Sequence, residues 1–217
     1  MPCANRHSRN SLRSRNATVS AIDLLTVPPV VVLDACVLYP AAQRDLFMWL
    51  AVGGTIHAHW TNEIHDEWIR NVERDYGVDR SILDRVRKLM DRAAGDALIT
   101  RYRQYERLFP KTDPKDRHVA AAAVAARKHS AVDTVTIITW NLKDYDRTEL
   151  AKAGVVAQNP DIFLCCLLTD SPESAVTAFK RMRDNLRNPP KSTRECADTL
   201  AAQGLKKFAG LIATRLE

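Results

Sequence analysis

The chain has 217 residues, of which 46% are hydrophobic and 27% charged, so it contains enough apolar material to bury a substantial core. It has no run of about 18 uncharged apolar residues and no signal-peptide pattern, which excludes a membrane-spanning helix and predicts a cytoplasmic protein. The five cysteines follow no disulfide or zinc-binding spacing, which also favours a reducing compartment.

The net charge of +6 is unevenly distributed. Residues 1–20 carry +4, residues 172–217 carry +4, and the residues between them carry −2. Basic ends around a slightly acidic middle suit a protein that binds a polyanion and holds cations at its centre. Ordinary solvated surface charge explains the same distribution equally well, so charge alone does not decide between the two interpretations.

The first 27 residues are rich in Arg, Ser and Asn and show no periodicity, which predicts a disordered basic leader. From Val30 onward, predicted strands alternate with predicted helices. The strands are 30–33, 55–60, 96–100, 134–139 and 155–158. The helices are 44–52, 62–77, 81–95 and 116–129, followed by a short helix that ends at Gly154. After about residue 170 only helical segments follow, three in number.

This order of elements predicts an α/β domain over residues 28–169, built on a central parallel sheet. The first strand, VVVL, is apolar on both faces, which is typical of a strand covered by helices on both sides. Residues 170–217 are predicted to form an all-helical appendage.

Acidic residues follow the ends of the predicted strands. Asp34 comes directly after VVVL, the turn TWNLKDYD follows the strand TVTIIT, and DPKDRH opens the helix before that strand. Ligands of open parallel sheets bind outside the carboxyl ends of the strands, so these acids are expected to converge. A single carboxylate there is often a helix cap, but several together are unfavourable unless protons or cations neutralise them. In the helix 62–77, Glu67 is better placed than Glu63 to join them.

A site made only of carboxylates suits Mg²⁺ or Mn²⁺. Zinc would require His or Cys ligands, and His57, His59 and His65 lack a matching acid or thiol at zinc-finger spacing. The sequence therefore favours phosphoryl chemistry assisted by a hard divalent cation.

Five motifs occur in order: LDACVLYP, HDEW, DPKDRHVAAAA, ITWNLKDYD and QNPDIF. This set resembles PIN-domain nucleases, and especially the VapC-like ribonuclease toxins of bacterial toxin–antitoxin pairs. The resemblance covers about residues 30–168. It implies a PIN-like three-layer α/β/α fold and a metal-dependent endoribonuclease that hydrolyses RNA phosphodiester bonds.

The resemblance also implies roles for individual residues. The expected metal ligands and catalytic acids are Asp34, Glu67, Asp116 and Asp144, with Asp34 and Asp116 binding the ion most directly. Thr139 and Asn141 match the hydroxyl and amide that often accompany the last acid. Asp113 remains an alternative to Asp116, and Asp146 an alternative to Asp144. Tyr145 stands where the family commonly has Phe, a change expected to matter little.

An acidic site needs basic neighbours to bind RNA. Four basic residues flank the acids and are the expected phosphate contacts, although each also fits an ordinary surface charge: Lys115, Arg117, Lys143 and Arg147. Besides RNA, the resemblance implies a cognate antitoxin as a partner, and it leaves open whether the protein is a homodimer. The antitoxin is expected to insert a basic side chain into the acidic cluster and to pack a helix into an apolar groove.

Two other functions fit parts of the sequence. A phosphorylated Asp34 would resemble haloacid dehalogenases or response regulators, but Cys36 stands where the former need a second Asp, and the latter need acids and a lysine that are not evident. A catalytically silent RNA-binding or co-repressor scaffold of the same fold is the remaining alternative. The presence of all four acids argues against this loss of activity.

Overall fold

The computed structural model describes residues 27–216, so the predicted leader lies outside the described residues except for Val27. Four parallel strands form one sheet in the order β2-β1-β3-β4. They are β1 (Val30–Leu33), β2 (His57–His59), β3 (Val135–Ile138) and β4 (Val155–Gln158). The central parallel sheet predicted from the sequence is confirmed.

Helices cover the sheet and continue beyond it. In the first part of the chain they are α1 (Ala35–Leu38), α2 (Ala41–Val52), α3 (Asn62–Tyr76), α4 (Arg80–Ala93), α5 (Arg117–His129) and α6 (Arg147–Lys152). The second part consists of α7 (Pro160–Asp170), α8 (Pro172–Asn185), α9 (Thr193–Ala202) and α10 (Lys206–Leu216). Short 3₁₀ helices occupy Arg103–Leu108 and Leu142–Asp144. This arrangement is consistent with a PIN-like α/β/α fold that carries additional carboxyl-terminal helices.

The central strand β1 is entirely apolar, as expected for a strand that is covered on both faces. All four residues of β1 are buried, and Val31 pairs with Ala58 of β2 and Thr136 of β3. Helix α5 packs against β1 and β3 on one side and against the first 3₁₀ helix on another. Its residues 118–126 are all buried, and alanine dominates this stretch because small side chains let the helix approach its neighbours closely.

The predicted strand at residues 96–100 is wrong. In the part of the chain that the structure describes, this segment forms a single bridge between Leu98 and Trp60 and adds no strand to the sheet. Ala97 and Ile99 are buried, so the apolar pattern reflects core packing of a loop. Short apolar runs do not distinguish these two cases.

Specific contacts fix the carboxyl-terminal helices to one another. The buried carboxylate of Asp161, in the first turn of α7, accepts hydrogen bonds from the backbone N–H groups of Lys207 (3.0 Å) and Phe208 (2.8 Å) at the start of α10. Within residues 27–216, no helix is long and apolar enough to cross a membrane.

Candidate active site

Asp34 ends β1 and begins α1, which explains why the buried strand stops at a carboxylate. Its Oδ1 atom accepts a hydrogen bond from the backbone N–H of Ala35 at 2.7 Å, so the side chain caps α1. Its Oδ2 atom accepts a hydrogen bond from the hydroxyl of Thr139 at 2.6 Å and one from the Cys36 thiol at 3.3 Å. Only 3% of Asp34 is exposed. Three protein donors therefore stabilise a buried carboxylate and fix its orientation.

Asp116 lies at the start of α5 and is less well satisfied. It is 7% exposed, and its Oδ2 atom is buried without a hydrogen-bond partner among the described residues. Burial raises the pKa of its carboxyl group from 3.8 to about 7, and the negative charge of Asp34 adds to this shift. Asp144 and Asp113 raise the pKa further, whereas Lys115 lowers it. Among the described residues, Lys115 therefore offsets the negative charge of ionised Asp116 only in part.

Glu67 and Asp144 form the more open side of the cluster. Glu67 projects from α3, which Thr61 caps, and 39% of its side chain is exposed. Burial, and then the charge of Asp34, raise the pKa of Glu67. Asp144 ends a 3₁₀ helix, is 16% exposed, and its Oδ2 atom lies 3.9 Å from Nζ of Lys115. Asp34 is therefore close enough to raise the pKa of both Asp116 and Glu67, and Asp144 is close enough to raise that of Asp116.

The two alternative acids have local structural contacts. The side chain of Asp146 caps α6 by accepting a hydrogen bond from the backbone N–H of Glu149 at 2.9 Å. The side chain of Asp113 accepts one from the backbone N–H of Lys115 at 3.1 Å, and its own N–H donates to the carbonyl of Asp144. Both residues shape the turns that present Asp116 and Asp144.

The expected accompanying residues are linked to Asp34. Thr139 directly follows β3, and its hydroxyl oxygen accepts a hydrogen bond from the backbone N–H of Asn141 at 3.0 Å while donating to Asp34. The Thr139 side chain thus connects the end of β1 to the turn after β3.

The four basic residues differ in their surroundings. Arg117 folds back onto the preceding loop, where its guanidinium donates to the carbonyls of Thr112 (3.0 Å) and Pro110 (2.7 Å). The other three, Lys115, Lys143 and Arg147, are exposed beside the acids. Arg117 therefore stabilises the loop that leads into α5.

Two site neighbours were not assigned a role from the sequence. Cys36 is a half-buried thiol that donates to Asp34, and burial together with the charge of Asp34 raises its pKa. Tyr145 is buried, and its hydroxyl has no partner within the described part of the chain. The sequence signal that could have drawn attention to Tyr145 is its hydroxyl, because the resemblance leads to the expectation of Phe at this position.

His59 and His65 lie in other environments, whereas Nε2 of His118 lies 3.8 Å from Oε2 of Glu67 at the acidic cluster. His65 is fully buried, with Nε2 3.1 Å from Oδ1 of Asp91 and Nδ1 accepting a hydrogen bond from the Trp68 indole. His59 lies 3.3 Å from the hydroxyl of Ser130 and packs on His129. His65 is therefore a satisfied core side chain, whereas Nδ1 of His59 is buried without a hydrogen-bond partner among the described residues.

The fit of the acidic cluster to a divalent cation rests on its chemistry. Its donors are carboxylate oxygens, which hard cations prefer, and Asp116 presents an oxygen that nothing in the described chain satisfies. Among residues 27–216, no three His, Cys, Asp or Glu side chains are close enough to hold a metal ion as they stand. The described acids therefore do not form a ready-made ligand set for a metal ion.

A comparison with known protein families concerns the carboxyl-terminal helices. Residues 160–214 match the family model of the VapC50 C-terminal domain. No curated protein and no solved structure matches the chain. The match relates α7–α10 to a VapC-family protein and thereby points to a toxin-related protein.

The segment matched to the VapC50 domain also borders the acidic cluster. Gly204, in the turn between α9 and α10, lies against Trp140, which directly follows Thr139 in the chain. The side chain of Gln203 accepts a hydrogen bond from the backbone N–H of Gln43 at 3.0 Å. The backbone N–H of Trp140 in turn donates to Sγ of Cys36. The VapC50-like segment is therefore in contact with residues that support Asp34.

Proposed function

We propose that this protein is a Mg²⁺- or Mn²⁺-dependent endoribonuclease and the toxin of a toxin–antitoxin pair. The observation that carries the proposal is the buried, unpartnered oxygen of Asp116 among the acids Asp34, Glu67 and Asp144. Negative charge of this kind is stable only beside a proton or a cation. The VapC50-like carboxyl-terminal segment supports the toxin part of the proposal.

Each acid has a distinct role in this reaction. Asp34 and Asp116 hold the cation most directly, and Asp144 and Glu67 complete the oxygen ligands, directly or through water. When bound, a divalent ion would lower the pKa of a water molecule that it binds and would neutralise negative charge on the scissile phosphate. Thr139 keeps the Asp34 carboxylate in one orientation. Glu67 is the most exposed of the four, and its raised pKa suits a base that accepts a proton from the attacking water.

RNA binding relies on the exposed basic residues beside the acids. Lys115, Lys143 and Arg147 are available for phosphate oxygens, whereas Arg117 acts through the loop that it stabilises. Because such contacts release counterions, RNA affinity is expected to fall steeply with salt concentration.

The test is cleavage of a mixed single-stranded RNA pool by the wild type and by Asp116→Asn, each with Mn²⁺ and with chelator. The proposal is supported if the wild type cleaves the RNA in Mn²⁺ but not in chelator, and if Asp116→Asn cleaves it in neither condition. Asp184→Asn is the matched control, because it makes the same change at an exposed acid of α8 that pairs with Arg183. Cleavage that persists in Asp116→Asn or in chelator would contradict the proposal.

A catalytically silent RNA-binding or co-repressor scaffold is the second candidate. The observation that favours it is the absence, among the described residues, of three potential ligands within metal-binding reach. The RNA cleavage experiment also distinguishes the two functions. A scaffold binds RNA equally well as wild type and as Asp116→Asn, and neither protein cleaves it.

A groove between α2, α4, α8 and α9 is proposed as the antitoxin surface. It has a volume of about 780 Å³ and an apolar lining that includes Met48, Trp49, Val52, Leu89, Met182 and Leu186. Lys191 lines the groove, and the guanidinium of Arg181 lies 5.9 Å from the Trp49 ring. Asp45 also lines the groove, but the basic side chains of Arg44, Lys191 and the neighbouring Arg181 outnumber it. An apolar groove with this excess of positive charge suits an amphipathic helix with acidic flanks.

Co-purification with the small protein encoded beside it tests this surface. We expect Leu89→Glu to abolish the complex, because it places a charge in the apolar groove. Leu211→Glu is the control, since Leu211 on α10 is 52% exposed and Leu89 is 51% exposed, but only Leu89 lines the groove. Equal loss of the complex in both variants would contradict the assignment. Light scattering on the free protein tests the homodimer.

A further inference from the structure

Helix α10 has an exposed face on which every charged residue is basic. The helix contains Lys206, Lys207 and Arg215 and no acidic residue, and all three basic side chains are exposed. Among residues 27–216, none of the three forms an ion pair with an acid. On the neighbouring helix α9, Glu195 bonds to Ser192 and Asp198 pairs with Arg194. The positive charge of α10 is therefore not neutralised by its own surroundings.

The packing of α10 fixes the direction of this face. Four of its residues are buried: Phe208, Ala209, Ile212 and Ala213. Six of its residues are exposed: Lys206, Lys207, Gly210, Leu211, Thr214 and Arg215. Because the exposed positions recur every three or four residues, they form one continuous stripe, which we call the basic face of α10. At 1.5 Å per residue, the stripe extends for about 13 Å from the two lysines to Arg215.

The lysine end of the basic face adjoins the acidic cluster. Gly204, two residues before Lys206, lies against the ring of Trp140. Trp140 directly follows Thr139, whose hydroxyl donates to Asp34. One series of contacts therefore connects the carboxylate at the end of β1 to the start of α10. A strand of RNA that leaves the acidic cluster on this side meets the basic face next.

Gly210 is an independent sign that a ligand approaches this face. It lies inside α10 at an exposed position, where a Cβ atom would meet nothing within 4 Å. Glycine is a poor helix former, so a residue with a side chain would stabilise the helix without any clash. Packing inside the protein does not explain this glycine. A position without a side chain allows a ligand to approach the backbone closely.

The basic face suits a polyanion better than it suits a protein helix. Leu211 is the one large apolar side chain of Lys206–Leu216 that is exposed, so the face offers little apolar area for helix packing. The apolar groove assigned to the antitoxin is formed by α2, α4, α8 and α9, and no residue of α10 lines it.

We propose that the basic face of α10 binds the phosphate backbone of the RNA where the RNA extends beyond the acidic cluster. This inference rests on the proposed function, because it takes RNA as the substrate. It adds that the VapC50-like segment forms part of the RNA-binding surface. Phosphate contacts supply affinity without reading the base sequence, so α10 should contribute equally to the binding of unrelated RNAs.

Fluorescence anisotropy of two labelled single-stranded RNAs of unrelated sequence tests the inference. Binding is measured with the full chain carrying Asp116→Asn, and RNA integrity is checked on a gel. We expect the added double substitution Lys206→Gln/Lys207→Gln to weaken binding of both RNAs by about 25-fold at about 0.1 M salt. The slope of log affinity against log salt should become shallower by about 1.4, which is the value for two lost phosphate contacts on a single strand.

Two further double variants serve as controls. Lys88→Gln/Lys180→Gln removes the same charge from exposed lysines of α4 and α8 and should leave affinity and slope unchanged. Lys206→Arg/Lys207→Arg keeps the charge of α10 and should bind RNA as tightly as the unsubstituted lysines. The backbone N–H of Lys207 that bonds to Asp161 is present in every variant, and circular dichroism checks that each one is folded.

The outcomes separate this inference from the proposed function. Equal RNA affinity of Lys206→Gln/Lys207→Gln and of the Lys88→Gln/Lys180→Gln control would overturn the role of α10, even where Mn²⁺-dependent cleavage by the wild type is intact. Loss of the neighbouring small protein in co-purification, with unchanged RNA affinity, would instead identify the basic face as a protein-binding surface and overturn the inference. Absence of RNA binding and cleavage in the wild type would overturn both proposals.

Discussion

The contact between Gly204 and Trp140 leads to a prediction about how the VapC50-like segment joins the site. Gly204 has a φ of +102°, a backbone conformation that side chains other than glycine rarely adopt. A Cβ atom at this position would lie 2.9 Å from one atom of the Trp140 ring and 3.0 Å from another. We predict that Gly204→Ala destabilises the protein through both backbone strain and overpacking.

The expected size follows from these two effects. A residue other than glycine in this region of φ costs about 1–3 kcal/mol. Forcing an extra carbon into a packed contact costs about 1–3 kcal/mol more. Because Trp140 is only partly buried and can shift, we expect a total of about 3 kcal/mol. At about 2–4 °C per kcal/mol for a chain of this size, the Tm should fall by about 6–12 °C.

The assay is urea and thermal unfolding of wild type, Gly204→Ala and Gly210→Ala. Gly210 lies inside α10, and a Cβ there would meet nothing within 4 Å. Gly210→Ala should therefore raise the stability by about 1 kcal/mol through helix propensity. In a double-mutant cycle, Trp140→Leu should recover the packing part of the loss in Gly204→Ala. A Gly204→Ala protein as stable as wild type would refute the reasoning.

Three further predictions concern charged and capping groups. In chelator, the contribution of Asp116 to stability should be lost as the pH rises from 3.8 through 7, because burial raises the pKa of its carboxyl group in the folded protein. Urea titrations should show Asp116→Asn more stable than wild type at pH 8 by about 2 kcal/mol after solvent screening, and no gain would contradict this. Burial lowers the pKa of His65 to about 4, so the contribution of His65 should be lost in the opposite direction, as the pH falls from 6.5 through 4, and His65→Gln should remove that part of the pH dependence in the same titration. Asp161→Ala should cost about 1–2 kcal/mol and speed hydrogen exchange of the amides at 207 and 208, whereas unchanged exchange there would argue against the cap.

The elements that the sequence predicted well are those with strong local patterns. The run VVVL, the amphipathic helix beginning at Asn62 and the alanine-rich helix before His129 each lie within a few residues of their predicted bounds. Residues 96–100 were mispredicted because apolar residues of a buried loop look like a short strand when their partners are unknown. A local pattern identifies burial, but hydrogen-bond pairing depends on residues elsewhere in the chain.

The same distinction applies to the candidate site. The position of Asp34 followed from strand order, and its contact with Thr139 is of the kind that neighbouring parallel strands create. The unpartnered atoms of Asp116 and Tyr145 could not be predicted, because satisfaction of a polar atom depends on the positions of all its neighbours. The contact between Trp140 and Gly204 joins distant parts of the chain and leaves no periodic signal.

The interaction between the carboxyl-terminal helices and the sheet also orders events during synthesis. The ribosome makes all four strands and all four proposed catalytic acids before it makes the turn at Gly204 or the start of α10. Domains fold as units, amino-terminal part first, so the sheet can form while the surface around Trp140 is still uncovered. The support that residues 203–208 give to this surface and to Asp161 is therefore added last, after the nascent chain has already acquired its acidic cluster.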